Sequence, residues 1–213
     1  MTGLFDWERF QKLPLVGILR GFDLAASQQA VRSAAAGGLT TVEITLNSPA
    51  ATSQIERLRH EFGDRVNVGA GTVCTVEDAR LAIQCGATFI VTPIVDGDVI
   101  QVCRDADVPA FVGAMTPSEV FQAWKLGAAI VKIFPADALG PTYLQSLRGP
   151  LPQISLMPTG GVTVESLASF HRAGAIAFGI GGPLFDAQRI AAQDWDWIQE
   201  QTTRFVAAYR AVA

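Results

Sequence analysis

Residues 126–135, LGAAIVKIFP, carry the chain from the end of one helix into a strand. Upstream, Thr116-Pro117 offers a cap followed by proline at the first helical position, opening a helically spaced segment over Pro117–Leu126. Gly127 supplies the left-handed residue that ends it. The apolar, β-rich run at 129–134 follows at once. Similar runs recur at 15–20, 41–46, 66–72, 88–93, 109–114, 154–159 and 175–180, at intervals of roughly 20 to 26 residues. Between them lie helically spaced segments at 24–36, 51–62 and 76–85, with plausible starts at Ser48-Pro49, Thr75 and Thr163. Glycine signatures close several: AAAGG at 34–38, CGA at 85–87 and AGA at 173–175.

A β-α rhythm of this kind implies right-handed crossovers and a parallel sheet. Eight units closing on themselves predict an α/β fold, the (β/α)8 TIM barrel, as one domain over residues 1–213. An open doubly wound sheet is the alternative, and a G-x-G-x-x-G after the first strand would favour it. The first strand instead runs into Arg20-Gly21-Phe22. At the N-terminus, MTGLFDWERFQKL has charges among its apolar residues and reads as an amphipathic helix, with no signal-peptide core. Its DWERF segment is expected to cap one mouth of the barrel. DWDWI at 194–198 starts the last helix, with Asp194 as cap.

The chain is 49% hydrophobic and only 17% charged over 213 residues, which excludes intrinsic disorder. Its net charge of −4 gives no general footprint for nucleic acid or an anionic membrane, and no run is long enough to span a bilayer. Three cysteines, Cys74, Cys85 and Cys103, are too few for a disulfide framework and read as reduced, packed thiols. A cytoplasmic protein is expected.

Scarce charge makes its position informative. The eight runs contain only Arg20, Glu43 and Lys132. Strand residues alternate faces, so Glu43 shares one with Thr41 and Thr45, and Lys132 shares one with Ile130 and Phe134. With the aliphatic faces packed under helices, all three charges should converge inside the barrel. A buried ion pair that merely fixes the fold is one reading, but such pairs rarely gain net stability. The other is catalytic: a lysine in a dry pocket sheds its proton readily, leaving the neutral amine that attack on a ketone requires.

The seventh run ends Pro158-Thr159-Gly160-Gly161 and the eighth ends Gly179-Ile180-Gly181-Gly182-Pro183. Barrels often bind phosphate in the loops after these two strands, through backbone N–H groups and a helix N-terminus. Gly160, Gly161, Gly181 and Gly182 are therefore the expected phosphate cradle. Thr72, Thr92 and Pro93 end two other runs and should rim the same face. A metal site is not expected, since His60 and His171 both fall inside predicted helices.

The segments GILRG (17–21), VEITLNSP (42–49), GAGTV (69–73), VTP (91–93), VKIFPA (131–136) and PTGGV (158–162) resemble the class I aldolases that cleave 2-keto-3-deoxy-6-phosphogluconate or its C4 epimer, the phosphogalactonate. The resemblance implies a homotrimeric (β/α)8 barrel that uses no metal or cofactor and acts on a small phosphorylated keto-deoxy sugar acid. It implies Lys132 as the Schiff-base lysine and Glu43 as the general acid/base. Arg20 and Thr72 would hold the pyruvyl carboxylate. Asn47, Pro93, Phe134 and Thr159 would complete the substrate site, with the glycine pairs on the phosphate. LNSP, with Asn47 where the phosphogluconate branch typically has arginine, is closer to the phosphogalactonate branch. Thr159 before the Gly-Gly pair is typical of phosphogluconate enzymes and keeps that epimer as the alternative. Gly182-Pro183 departs from the family, which usually has a serine after the second glycine. Weaker phosphate binding or a compensating donor is expected there.

Overall fold

Alternation along the strands sets which face each side chain takes, and burial follows it. The computed structural model describes residues 5–213. Its strands are β1 Leu15–Leu19, β2 Thr41–Thr45, β3 Asn67–Gly71, β4 Ile90–Val91, β5 Ala110–Ala114, β6 Ile130–Ile133, β7 Leu156–Pro158 and β8 Phe178–Ile180. Among the described residues ten helices accompany them: α1 Trp7–Lys12, α2 Leu24–Ala36, α3 Ala51–Phe62, α4 Val76–Gln84, α5 Gly97–Asp105, α6 Pro117–Leu126, α7 Gly140–Arg148, α8 Val164–Arg172, α9 Ala187–Ala191 and α10 Trp195–Arg210. Neighbouring strands pair in parallel in the order β7-β6-β5-β4-β3-β2-β1-β8. Two isolated bridges, Leu156 with Ala175 and Thr159 with Gly179, join the remaining edges and close the barrel.

Two apolar cores result. Val42, Ile44, Val68, Ala70, Val112, Val131 and Ile133 face outward into the layer between strands and helices. Val16, Phe89, Val91, Phe111, Ile130 and Met157 fill the barrel interior. The interior is narrow, so large side chains lie against glycines of neighbouring strands. A Cβ on Gly69 would stand 2.4 Å from the Phe89 ring.

The N-terminal helix does cap a mouth, the one away from the strands' C-terminal ends. Asp6 caps α1 by accepting from the Arg9 N–H. Asn67, at the start of β3, accepts from the Asp6 N–H at 3.0 Å and donates to its carbonyl at 3.1 Å. This clamp drives Phe5 and Phe10 into the barrel, where their rings lie 5.9 and 5.5 Å from that of Phe111.

Four expectations need correction. β1 ends at Leu19, because Gly21 takes a left-handed φ of 79° and turns the chain away, so Arg20 lies exposed on the rim and outside the strand. Ser48 does not cap α3; Ala50 occupies that position in a left-handed conformation without a side-chain bond. Thr92 is buried away from the rim, its hydroxyl donating to the Ile94 carbonyl and accepting from the Gly113 N–H. Cys74 is exposed, whereas Cys103 is buried and its thiol is pushed up to about 12 by desolvation. Thr75, Thr116, Thr163 and Asp194 cap their helices as the pattern predicts. Among the described residues no helix is long and apolar enough to cross a membrane.

Candidate active site

Lys132 enters the interior from β6, in register with Gly113 of β5 and Met157 of β7, and is 4% exposed. Glu43 enters from β2, in register with Ile18 and Gly69, and is 1% exposed. Burial pushes the Lys132 amine below the usual lysine range; the Glu43 charge opposes this, and Arg20 reinforces it. Burial pushes the Glu43 carboxyl above the usual carboxylate range, against the pull of Lys132 and Arg20. Each group is thus driven toward its neutral form.

Neither Glu43 oxygen has a hydrogen-bond partner among the described residues. A fold-fixing ion pair is therefore not what this carboxyl forms. An unsatisfied buried acceptor costs about 1–3 kcal/mol, more if charged, and a group retained at that cost in a cleft points to chemistry. Gly71 sets the carboxyl's position: a Cβ there would stand 2.3 Å from Glu43 Oε1. The Lys132 amine lies 5.0 Å from the centroid of the Phe134 ring, which is itself 38% exposed and lies toward the rim.

Above this pair the rim residues gather. Arg20 and Asn47 meet through a 3.3 Å hydrogen bond from Nη1 to Oδ1. Thr72 is half-buried at the end of β3 with a φ of 59°, a left-handed conformation costly for a β-branched residue. Pro93 is half-buried after β4. Thr159 is buried, and its hydroxyl has no partner among the described residues.

A cavity of about 190 Å3 is bounded by Arg20, Phe134, Thr159 and the two glycine pairs. Gly160 and Gly161 have φ values of 95° and 70°, and a Cβ on Gly161 would press on Asp137 at 2.8 Å. Gly182 has nothing within 4 Å of where its Cβ would lie. The N–H groups of Gly160, Gly161, Gly181 and Gly182 find no backbone acceptor among the described residues. With the N-terminus of α8 just beyond, these donors suit an oxyanion such as phosphate. Pro183 adds no donor, and its carbonyl accepts from Gln201 Nε2 at 2.9 Å. A wider depression of about 580 Å3 lies beside this site, between α2 and α9. Its one acid, Asp23, is engaged in capping α2.

The structure thus brings together Lys132, Glu43, Phe134, Thr159 and the glycines, with Arg20 and Asn47 on the rim. No cluster of three or more His, Cys, Asp or Glu side chains suited to a metal occurs among the described residues. His60 lies in α3 and His171 in α8, where its ring packs near Phe178 and Tyr209. Sequence reasoning missed Gly71 as the support of Glu43, and Ser48 and Gln54 beneath the rim. Ser48 was visible within LNSP but resembles a helix cap there; nothing in the sequence marks Gln54.

The family described as "KDPG and KHG aldolase" matches residues 7–201. The chain belongs to this family. It is 36% identical over 200 residues to the 2-dehydro-3-deoxy-6-phosphogalactonate aldolase of Escherichia coli (strain K12), covering 93% of this chain and 96% of that one. A solved structure described as "Native KDPGal structure" superposes with a TM-score of 0.89 at 35% identity, over 94% of this chain and 96% of that one. A Legionella pneumophila KDPG aldolase, solved with pyruvate captured as a covalent carbinolamine, gives 0.83 at 25% identity over 96% of each chain.

Proposed function

We propose that this chain is a class I aldolase that cleaves 2-dehydro-3-deoxy-6-phosphogalactonate to pyruvate and D-glyceraldehyde 3-phosphate. The observation that carries the reading is the pairing of a desolvated lysine with an unbonded, desolvated carboxyl beneath a glycine-lined cavity. Family membership and the phosphogalactonate relatives support the same chemistry.

The substrate's carboxylate lies toward Arg20 and Thr72, its phosphate on the four glycine N–H groups. The neutral Lys132 amine adds to the C2 ketone. Glu43, whose carboxyl burial pushes toward the protonated form, donates the proton that lets the carbinolamine lose water, giving an iminium. The resulting carboxylate removes the C4-hydroxyl proton. C3–C4 breaks, its electron pair passes through C3 into the iminium to form an enamine, and glyceraldehyde 3-phosphate leaves. Protonation at C3 and hydrolysis release pyruvate and regenerate the amine. No metal or cofactor enters these steps.

A second reading, cleavage of the C4 epimer 2-dehydro-3-deoxy-6-phosphogluconate, is favoured by one observation. Thr159 lines the cavity immediately before the Gly160-Gly161 pair, the arrangement typical of the phosphogluconate branch. Pyruvate release from the two epimers distinguishes them. A higher kcat/KM for the phosphogalactonate is expected, a higher value for the phosphogluconate establishes the second reading, and turnover of neither refutes both.

The proposal includes a cytoplasmic homotrimer of single-domain chains. Exposed Ile94, Met115, Phe121 and Trp124 on neighbouring loops and α6 supply apolar surface for such contacts. One structural relative, covered over 73% of its length, comes from a cage designed by fusing symmetric oligomeric domains. Sedimentation at the mass of three chains is expected.

A further inference from the structure

Arg20 has little of its own to hold it in place. It follows the last residue of β1, it is exposed, and its one side-chain hydrogen bond goes to Asn47, which is also exposed. The next residue, Gly21, is left-handed, with nothing within 4 Å of its would-be Cβ, so packing does not fix the turn either. The loop is tied down from below by two side chains of the following β-α connection. Ser48 Oγ accepts from the Gly21 N–H at 2.8 Å. Gln54, fully buried in α3, donates from Nε2 to the Phe22 carbonyl and to the Pro49 carbonyl, each at 2.7 Å. Ser48 is 8% exposed and shares a 3.0 Å hydrogen bond with Thr45 Oγ1. Thr45 is itself buried, two residues from Glu43 on the same inward face of β2. A continuous chain of polar contacts therefore runs from the strand that carries the acid to the loop that carries the arginine.

Resting on the aldolase reading above, we propose that Ser48 is a positioning residue: it seats Arg20 for the pyruvyl carboxylate by holding the Gly21 N–H to the end of β2. Ser48 is free for this because it caps no helix; α3 begins only after left-handed Ala50. Its hydroxyl acts through Arg20 and touches no reacting atom. Removing it frees the loop's one anchored N–H and lets the guanidinium wander, which weakens substrate capture while the lysine and the acid stay in place.

The test uses borohydride trapping of pyruvate on the intact enzyme, read at increasing pyruvate concentration. Ser48→Ala should raise the half-saturating pyruvate concentration about tenfold, the size of one hydrogen bond lost to a charged ligand. The trapping rate at saturation should stay within about twofold of wild type, as expected when only ground-state capture is lost. Ser48→Thr, which keeps the hydroxyl, should restore the wild-type value. In an Arg20→Ala background, Ser48→Ala should add no further loss, because the serine acts only through the arginine. Should Ser48→Ala fail to fold, Ser48→Cys keeps the volume with a weak acceptor and is read in the same way. Unchanged half-saturation in a folded variant, or full additivity with Arg20→Ala, would overturn the proposal. Failure of the wild-type enzyme to trap pyruvate would instead count against the aldolase reading.

Discussion

Lys132 and Glu43 are both driven toward neutrality by burial, and this shapes what pH does to each. Imine formation needs the free amine, so its rate should rise with pH and level off below the usual lysine range. Arg20 adds to the lowering of the Lys132 amine, after the larger effect of burial. Removing that positive charge makes the ammonium form easier to keep, so Arg20→Gln should move the rising limb to higher pH. A stopped-flow pH profile of pyruvate trapping checks this; a limb that stays put or moves to lower pH contradicts the electrostatic assignment. Glu43→Gln keeps the shape and removes the proton carrier, so cleavage should fall by about 10²–10⁴ in kcat. Near-normal turnover in that variant would refute the acid/base role. The inward parity of both residues was legible from alternation alone. Arg20 was misread because periodicity cannot show where a strand stops; the left-handed φ at Gly21 decides it.

Glycines divide by the element they serve, and only some of that division can be read from sequence. Those at helix ends are legible by position: Gly38, Gly86, Gly127 and Gly174 all have positive φ where the helical pattern stops. Gly71 lies inside GAGTV and looks like any strand-end glycine. Its reason is a neighbour 28 positions away, the Glu43 carboxyl, which a Cβ would meet at 2.3 Å. Such a contact depends on the register of β2 against β3, which no local pattern contains. Gly71→Ala should therefore displace the acid, lowering kcat for cleavage more than tenfold while destabilising the fold by about 1–3 kcal/mol. Paired turnover and urea-melt measurements check it; a loss of stability with full activity would show that the carboxyl tolerates the shift. Ser48 was hidden in the same way, since Ser-Pro before a helical pattern resembles a cap until the backbone shows α3 starting at Ala51.

The barrel as a whole separates its duties between its two mouths. The end away from the site is sealed by α1, with Phe5 and Phe10 packed against Phe89 and Phe111. Phe10→Ala should cost about 3–5 kcal/mol of stability, as large aromatic truncations in cores do. The fraction that remains folded should still trap pyruvate at the wild-type rate, because the plug lies below the reacting residues; slowed trapping in folded protein would show that the plug also tunes the site. The eight-fold β-α rhythm makes this architecture legible in the sequence, while closure itself rests on two isolated bridges at the edges of β7 and β8 that composition does not reveal. The other mouth gathers an amine and a carboxyl that burial pushes toward their neutral forms, with a ring of unused N–H groups. Whether that amine is the nucleophile is settled by incubating the protein with pyruvate and borohydride and mapping the modified peptide by mass spectrometry. A single reduced adduct on Lys132, absent in Lys132→Ala, is the predicted result; an unmodified Lys132, or an adduct on another lysine, would contradict it.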